Sequence, residues 1–585
     1  MSSTAETTPR RRRRQELLSS SIVVARRLLA DGGLESVTML AVSREIGIAG
    51  PGLYRYFPSR ADLLRVAYRD VLDELVAHVR AAIARQPAGD RAAQVQALTN
   101  AMFAWSVAHP HELDLLLGAG LRLVEDGAPV GGEFGGGTFY EVAALAFPPV
   151  VAQWADGAVW FDEPVVPELA ADLAARRDAL LAVFPDAPRD VPLGLVAAVR
   201  VAWQRTFGLL CMTAYGHVTE PDGPVRRDYV TALLDDLNAR NLALFGLAPS
   251  PAAVLEPVFV PGSESGPAEL GSESGPGEPA SGSRPAEPAS GSGPADGTAA
   301  PEALPAGAHP ADEAGTSAQG GTGRRARLRR ELVAQALRSA RRLLDEHGPD
   351  GVTMQAVAKD VGIAAPGLYR YFDGRPGLLH ATHQDVVDEL LASVGAARAR
   401  QPADDPSAQC HAVIDALFRW CLAHRNEYDL LMSGRLRISL PGDDTPGEPR
   451  HAPLMALDRV GAVFAPIALA WWRAGCRVLP DDELLPALVP HLRAARDAMR
   501  GIPGFPPDVP LGLLHAMNLC SARLWGLLTL TVYGHMGDLD GPAGAAHLDA
   551  LVLDLAADAL DVFGQKLSAA VVLVRDTPAP SDPVR

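Results

Sequence analysis

Aromatic residues make up only 6% of this 585-residue chain, and cysteine is scarcer still. The five cysteines, Cys211, Cys410, Cys421, Cys476 and Cys520, are odd in number and form no Cys-x-x-Cys pair. That pattern argues against a disulfide framework and a zinc site, so reduced thiols in a cytoplasmic protein are expected. After the early arginines no apolar stretch is long and clean enough to read as a secretory signal. The most apolar run, Leu511 to Val532, is interrupted by His515, Asn518 and Arg523, which argues against a membrane span. Net positive charge is missing too, the balance being −17. On average that speaks against nucleic acid, but the average hides local clustering.

The residues of catalysis are also absent. No Ser/His/Asp arrangement, paired catalytic carboxylates or nucleotide loop can be read. Gly131 to Gly137 is glycine-rich, yet it lacks the Lys-Ser/Thr that phosphate chemistry needs. His217 and His535 have no cysteine or second histidine at useful spacing, and His109-Pro-His111 lacks acidic or cysteine partners. No enzymatic activity, metal or cofactor is expected.

What is present is one unit written twice. The segment from Ala25, ARRLLADGGLESVTMLAVSREIGIAGPGLYRYF, returns from Ala340 as ARRLLDEHGPDGVTMQAVAKDVGIAAPGLYRYF, an offset of 315. Later the offset becomes 318, where Val191-Pro-Leu-Gly-Leu meets the same five residues from Val509. Phe245-Gly246 likewise meets Phe563-Gly564. A repeat of roughly 240 residues is far longer than a solenoid unit, so the chain reads as two tandem domains-in-series. Between them, residues 249–323 carry ten acidic residues, one arginine and one aromatic among Gly, Pro, Ser and Ala. Such a segment cannot bury enough surface to offset ordering and is expected to be a flexible tether. Inside each copy apolar residues recur at helical spacing, as in Leu63, Val66, Ala67, Val71 and Leu75, and no alternating strand pattern appears. The fold class expected is all-α.

One stretch carries function. Thr38 is placed to cap a short helix over Met39 to Ile46, with Leu40 or Ala41, Val42 and Ile46 facing inward. Gly47 suits the left-handed turn that ends it. A second short helix is expected from Gly50 to Tyr56, with Pro51 in its first turn. This is the helix-turn-helix plan, in which the second helix enters the major groove. Leu53 and Phe57 would face inward, leaving Gly52, Tyr54, Arg55 and Tyr56 toward the duplex. Charge agrees locally: Arg10 to Asp70 holds 12 basic against 6 acidic residues, and Arg324 to Asp385 holds 11 against 7. Arg10 to Arg14, and Arg324, Arg325, Arg327, Arg329 and Arg330, read as flexible arms for phosphate or a minor groove.

The combination T38…G47…L53-Y54-R55-Y56-F57…R60…L63-L64, repeated as T353…G362…L368-Y369-R370-Y371-F372…R375…L378-L379, resembles the tetracycline-repressor (TetR) family twice over. The resemblance implies phosphate contacts for Thr38, Tyr54, Tyr56 and Arg60, and for Thr353, Tyr369, Tyr371 and Arg375. It implies base reading by Gly50, Pro51, Gly52 and Arg55, and by Ala365, Pro366, Gly367 and Arg370. Since the other positions carry little polar chemistry, Arg55 and Arg370 are the expected base readers, with guanine the natural partner. Pro51 to Phe57 is identical to Pro366 to Phe372, so a near-palindromic double-stranded DNA operator is expected.

The remaining helices of each copy are, by the same resemblance, a regulatory and dimerisation domain. Trp203 to His217 and Leu524 to His535 look like the Trp-His-Gly subgroup. Phe103, Trp154, Trp203 and Phe207, with Phe418, Trp471 and Trp525, are the candidates to line a pocket for a small apolar ligand; an ordinary core is the other reading. The expected organisation is a disordered basic arm (1–14), a first DNA-binding domain (15–70), a first regulatory domain (71–248), a linker (249–323), a second DNA-binding domain (324–385), a second regulatory domain (386–566) and a tail (567–585). Function is read as a transcription regulator, a repressor by family analogy, whose modules pair within the chain. Two alternatives stay open: pairing between chains to cluster or loop DNA, or a ligand-binding protein with degenerate DNA heads.

Overall fold

The structure, a computed structural model, describes residues 9–117, 140–157, 159, 161, 166–214, 218, 225–258, 320–432, 456–499, 504–536, 539 and 541–573. Among these residues every regular element is helical, as the sequence pattern predicts. Both modules lie in one compact unit, residues 1–259 with 334–585. Residues 260–333 form the other, whose described part opens a helix bearing an exposed Arg327–Glu331 pair at 3.6 Å.

The first module runs α1 (Pro9–Ser36), α2 (Met39–Glu45), α3 (Gly50–Leu53), α4 (Arg60–Ala84), α5 (Arg91–Ala108), α6 (Pro110–Leu117), α7 (Tyr140–Ala143), α8 (Phe147–Ala155), α9 (Ala170–Val183), α10 (Leu193–Ala214) and α11 (Val225–Leu244). The second repeats the plan as α12 (Gly320–Gly351), α13 (Met354–Val361), α14 (Ala365–Leu368), α15 (Gly374–Ala399), α16 (Pro406–Ala423), α17 (Arg425–Met432), α18 (Ala456–Arg473), α19 (Val489–Ala498), α20 (Leu511–Val532) and α21 (Gly541–Val562). Helix α4 shows why these segments fold as they do. Ser59 and Asp62 form a reciprocal capping box at its start, which satisfies amides that have no helical partner. Leu63, Leu64, Ala67, Val71, Leu75 and Val79 then recur on one face and are all buried.

Four expected boundaries move. The basic residues 10–14 continue α1 as helix instead of a disordered arm, and helix α12 already begins at Gly320. Proline at position 9 suits a helix start, and nothing breaks the run of helix formers after it. The linker does not begin at 249. Ser250 donates to Asp90 at 2.6 Å, Gln86 holds both the N–H and the carbonyl of Val254, and Val258 is buried. The second copy repeats this strap: Ser568 meets Asp405, and Gln401 grips Val572 at both main-chain groups. The start of the expected tail therefore belongs to the module.

The buried core is continuous through both modules. They meet most extensively where α10 packs on α20. Gly208 and Gly526 make the approach possible: a methyl on Gly208 would run into the Ala522 carbonyl and stand 2.8 Å from the Gly526 nitrogen. A methyl on Gly526 would meet the Gln204 carbonyl and stand 2.8 Å from the Gly208 nitrogen. Helix α10 has the length and composition of a membrane span, but 67% of its most apolar stretch is buried within the protein.

Just past α20 lies His535, 2% exposed, with the main chain of Leu117 from the first module beside its ring. Burial pushes its pKa down to about 4 from the ordinary 6.5. Below pH 6.5 the unfolded chain therefore binds a proton that the fold excludes, and stability falls with pH toward 4. Urea unfolding at pH 7 and pH 5.5 should show His535→Gln losing about 1 kcal/mol less over that interval than the parent chain. Equal losses would contradict the assignment.

Candidate nucleic-acid interface

Thr38 and Thr353 cap α2 and α13, each side-chain oxygen accepting the amide three residues on at 3.1 Å. Gly47 and Gly362 follow with φ of +71° and +78°, the left-handed turn that glycine adopts without a Cβ penalty. The reading helices are shorter than expected: α3 and α14 span only Gly50–Leu53 and Ala365–Leu368, and Tyr54 to Tyr56 form a turn. Leu53, Phe57, Leu368 and Phe372 are buried as anticipated, and they anchor each head from below. Of the alternatives Leu40 or Ala41, Leu40 is 63% exposed and Ala41 half-buried; Val42 is buried and Ile46 half-buried as expected, and Ser43 is buried as well.

None of the expected contact residues on the reading helices and the turns after them is buried. Pro51, Tyr54 and Arg55 are exposed, as are Pro366, Tyr369 and Arg370, with Gly50, Gly52, Tyr56, Ala365, Gly367 and Tyr371 half-buried beside them. Tyr54 and Tyr369 are more than half exposed although both are aromatic. Arg60 and Arg375 are differently placed. Arg60 donates to the carbonyls of Val37 and Leu34, and Arg375 to that of Val352 at 2.9 Å. Each ties the start of its long helix to the loop preceding the capping threonine, a positioning role that spacing alone did not suggest.

Each head is also latched to the helices that follow it. Arg26 on α1 pairs with Asp70 at 3.0 Å and Glu74 at 2.7 Å on α4, and Trp105 donates its indole N–H to Glu74 at 3.2 Å. Burial alone would raise the Glu74 pKa, but Arg26 and Trp105 outweigh it and hold the carboxyl low. The second copy repeats the set: Arg341 meets Asp385 at 3.3 Å and also pairs with Glu389. Trp105 stacks on His109 and Trp420 on His424, at 4.7 and 4.3 Å. Arg26 and Arg341 lie inside the repeated segment, so the signal was in the sequence, but their acidic partners sit 44 and 48 residues further on.

The aromatic candidates for a ligand pocket are core residues. Phe103, Phe207 and Phe418 are fully buried; Trp203, Trp471 and Trp525 are buried, and Trp154 is half-buried. Trp203 packs on Phe207 and Trp471 on Phe563, so these rings spend their surface on each other and on neighbouring helices. A cavity of about 340 Å³ does occur among the described residues, but it lies on the second DNA-binding domain, between Gln335, Arg338, Ser339, Arg342, Asp360 and Val361. Residues 131–137 and His217 lie outside the described residues. No group of three metal-ligating side chains occurs among the described ones.

Sequence reasoning missed the charged seam between the modules. Arg523 is 1% exposed, yet it donates to Gln204 at 3.2 Å and pairs with Asp554 at 2.6 Å and Asp558 at 2.8 Å. Across the seam Arg200 reaches Asp554 at 3.1 Å and Arg205 reaches Asp558 at 3.2 Å. The available signal was Arg523 itself, a cation in the middle of an apolar helix.

Comparison with known proteins fits this geometry. The sequence pattern described as "Bacterial regulatory proteins, tetR family" matches residues 22–67 and 336–382, the two heads. An HTH-type transcriptional regulator of Mycobacterium tuberculosis is 27% identical over 215 residues, which is 37% of this chain and 86% of that protein. The BetI regulator of Burkholderia thailandensis is 36% identical over 90 residues, 15% of this chain and 44% of its own length. Among solved structures, the TetR family transcriptional regulator PfmR of Thermus thermophilus is 21% identical, with a TM-score of 0.20 over 34% of this chain and 97% of that one. Two matched heads, each with the helix-turn-helix geometry described above, show that the chain carries two tandem modules with tetR-family DNA-binding domains and support DNA-binding transcription regulation.

Proposed function

We propose that the chain acts as a fused pseudo-dimer: a cytoplasmic repressor whose two heads grip one near-palindromic operator and release it when a small apolar ligand binds a regulatory domain. The observation that carries this reading is the close backbone crossing of α10 on α20, which joins the two modules of a single chain. The identical segments Pro51 to Phe57 and Pro366 to Phe372 support two similar half-sites. Their centres should lie about one helical turn of DNA apart, roughly 34–36 Å, or a larger multiple. A ligand would act by preferring module arrangements whose heads have the wrong separation.

Selection of bound sequences from a random duplex pool tests this directly. The expected result is a motif with two similar arms; binding that merely fades with salt, without an enriched motif, would refute it. Arg55→Ala with Arg370→Ala should cost about 1–3 kcal/mol per half-site and relax the sequence preference at one position in each arm. An equal loss on every sequence would move both arginines to the phosphate backbone.

A further inference from the structure

The seam between the modules differs on its two halves. A pseudo-two-fold relates α10 to α20 and α11 to α21, matching residues 318 apart: Gly208 with Gly526, Arg205 with Arg523, Asp236 with Asp554, and Arg240 with Asp558. The reciprocal approach of Gly208 and Gly526, each 2.8 Å from the other's nitrogen once a methyl is added, shows that the relation is physical. Every ion pair across the seam can therefore be compared with its mirror.

The mirrors do not match. Arg205 meets Asp558 at 3.2 Å. The mirrored contact would set Arg523 against Arg240, two cations. Arg523 instead turns to Asp554 and Asp558 on its own module, and Arg240 turns to Asp236 at 2.7 Å and meets the His515 ring of the second module at 2.7 Å. The second module places His515 against that same carboxylate, 3.3 Å from Asp236. Arg200 reaches Asp554 across the seam, while its mirror is the uncharged Asn518, which donates to the Tyr229 hydroxyl at 3.1 Å.

In the ion pairs named at the seam the first module contributes Arg200, Arg205 and Arg240 against Asp236, a cationic set. The second contributes Arg523 against Asp554 and Asp558, an anionic one. The side chains of Arg200 and Arg523 are only 6% and 2% exposed and those of Arg205 and Arg240 16% and 32%, so water screens a mismatch there only in part.

We infer that this buried pattern makes the seam selective: the first module's face accepts the second module's face and rejects a second copy of itself. Two first modules would set Arg205 against Arg240 in both mirrored contacts and lose every carboxylate of the second. Two second modules would crowd Asp554 and Asp558 from both sides onto two arginines. Like charges facing each other across a buried contact are an effective way to exclude a wrong partner. Because both faces lie on one polypeptide, the correct partner is always present in equal amount. The inference rests on the pairing proposed above and adds what the pairing chooses.

The test uses the full chain with a protease site inserted in the segment between the modules and a tag at one end. After cutting, native mass spectrometry should find only one-to-one pairs of a first and a second half. Homotypic pairs in statistical proportion would overturn the selectivity while leaving pairing intact. Halves running singly would overturn the pairing itself and the selectivity with it. Asp558→Arg should weaken the cut pair by about a hundredfold, the scale of a broken buried ion pair. Adding Arg240→Asp exchanges the two mirrored contacts, so Arg523 gains the carboxylate that Arg205 loses, and pairing should return to within about tenfold of the parent. An unchanged Asp558→Arg pair, or a folded double variant without recovery, would overturn the proposal.

Discussion

Substituting Gly208 by alanine is expected to destabilise the chain by at least about 1–3 kcal/mol, although it adds one methyl group to a helix. In an open helix the same change stabilises, because alanine restricts the unfolded chain more than glycine does. At Gly208 the methyl meets main-chain atoms of α20, which have no rotamer through which to escape. Either the helices separate or the Ala522 carbonyl moves out of its helix. Gly395 on α15 supplies the control, since nothing lies within 4 Å of a methyl there. Chemical denaturation should therefore show opposite signs, with Gly395→Ala gaining about 0.5–1 kcal/mol. Loss of stability at both positions, or at neither, would remove the backbone crossing as the explanation.

The second large effect concerns Arg523. Removing its side chain leaves Asp554 and Asp558 without their closest cation in a desolvated seam, and the expected cost is about 3–5 kcal/mol for Arg523→Ala. The cause can be separated from lost packing by pH. In the parent, burial alone would raise the Asp558 pKa, but Arg523 and Arg205 outweigh it and hold it below 3.8. That depressed pKa adds stability above 3.8 and withdraws it as pH falls through the folded value. Without Arg523 only Arg205 opposes burial, and the folded pKa is expected to rise toward or above the unfolded one. The variant should then recover stability on mild acidification, from pH 7 to 5, relative to the parent at each pH. A pH-independent deficit between the two would assign the loss to packing.

Much of this was legible in the residues. The duplication, the all-helical class and the placement of Thr38, Gly47, Leu53 and Phe57 rest on spacing and on the special geometry of single residues. These are local constraints that a chain cannot hide. Spacing left Leu40 and Ala41 as alternatives because α2 is only seven residues long, so a small rotation exchanges its inward and outward positions. The straps beyond Leu244 and Val562 look like linker by composition, and what fixes them is glutamine side chains binding main-chain groups from 168 and 171 residues away. The seam is invisible for the same reason. Arg523 reads as a defect in an apolar run until Asp554 and Asp558, one turn apart on another helix, are brought beside it.

Helix α4 carries a mechanical consequence. It starts at Arg60, whose guanidinium holds the carbonyls beneath the head, and just past its end Gln86 grips the strap. Its 25 residues make a rod of about 37 Å at 1.5 Å per residue. A tilt of about 5° pivoting on the Gln86 end would carry the Arg60 end about 3 Å, nearly the rise of one base pair. A lever of that ratio needs only a sub-ångström displacement a few residues from its fulcrum to slide a head out of step with its groove.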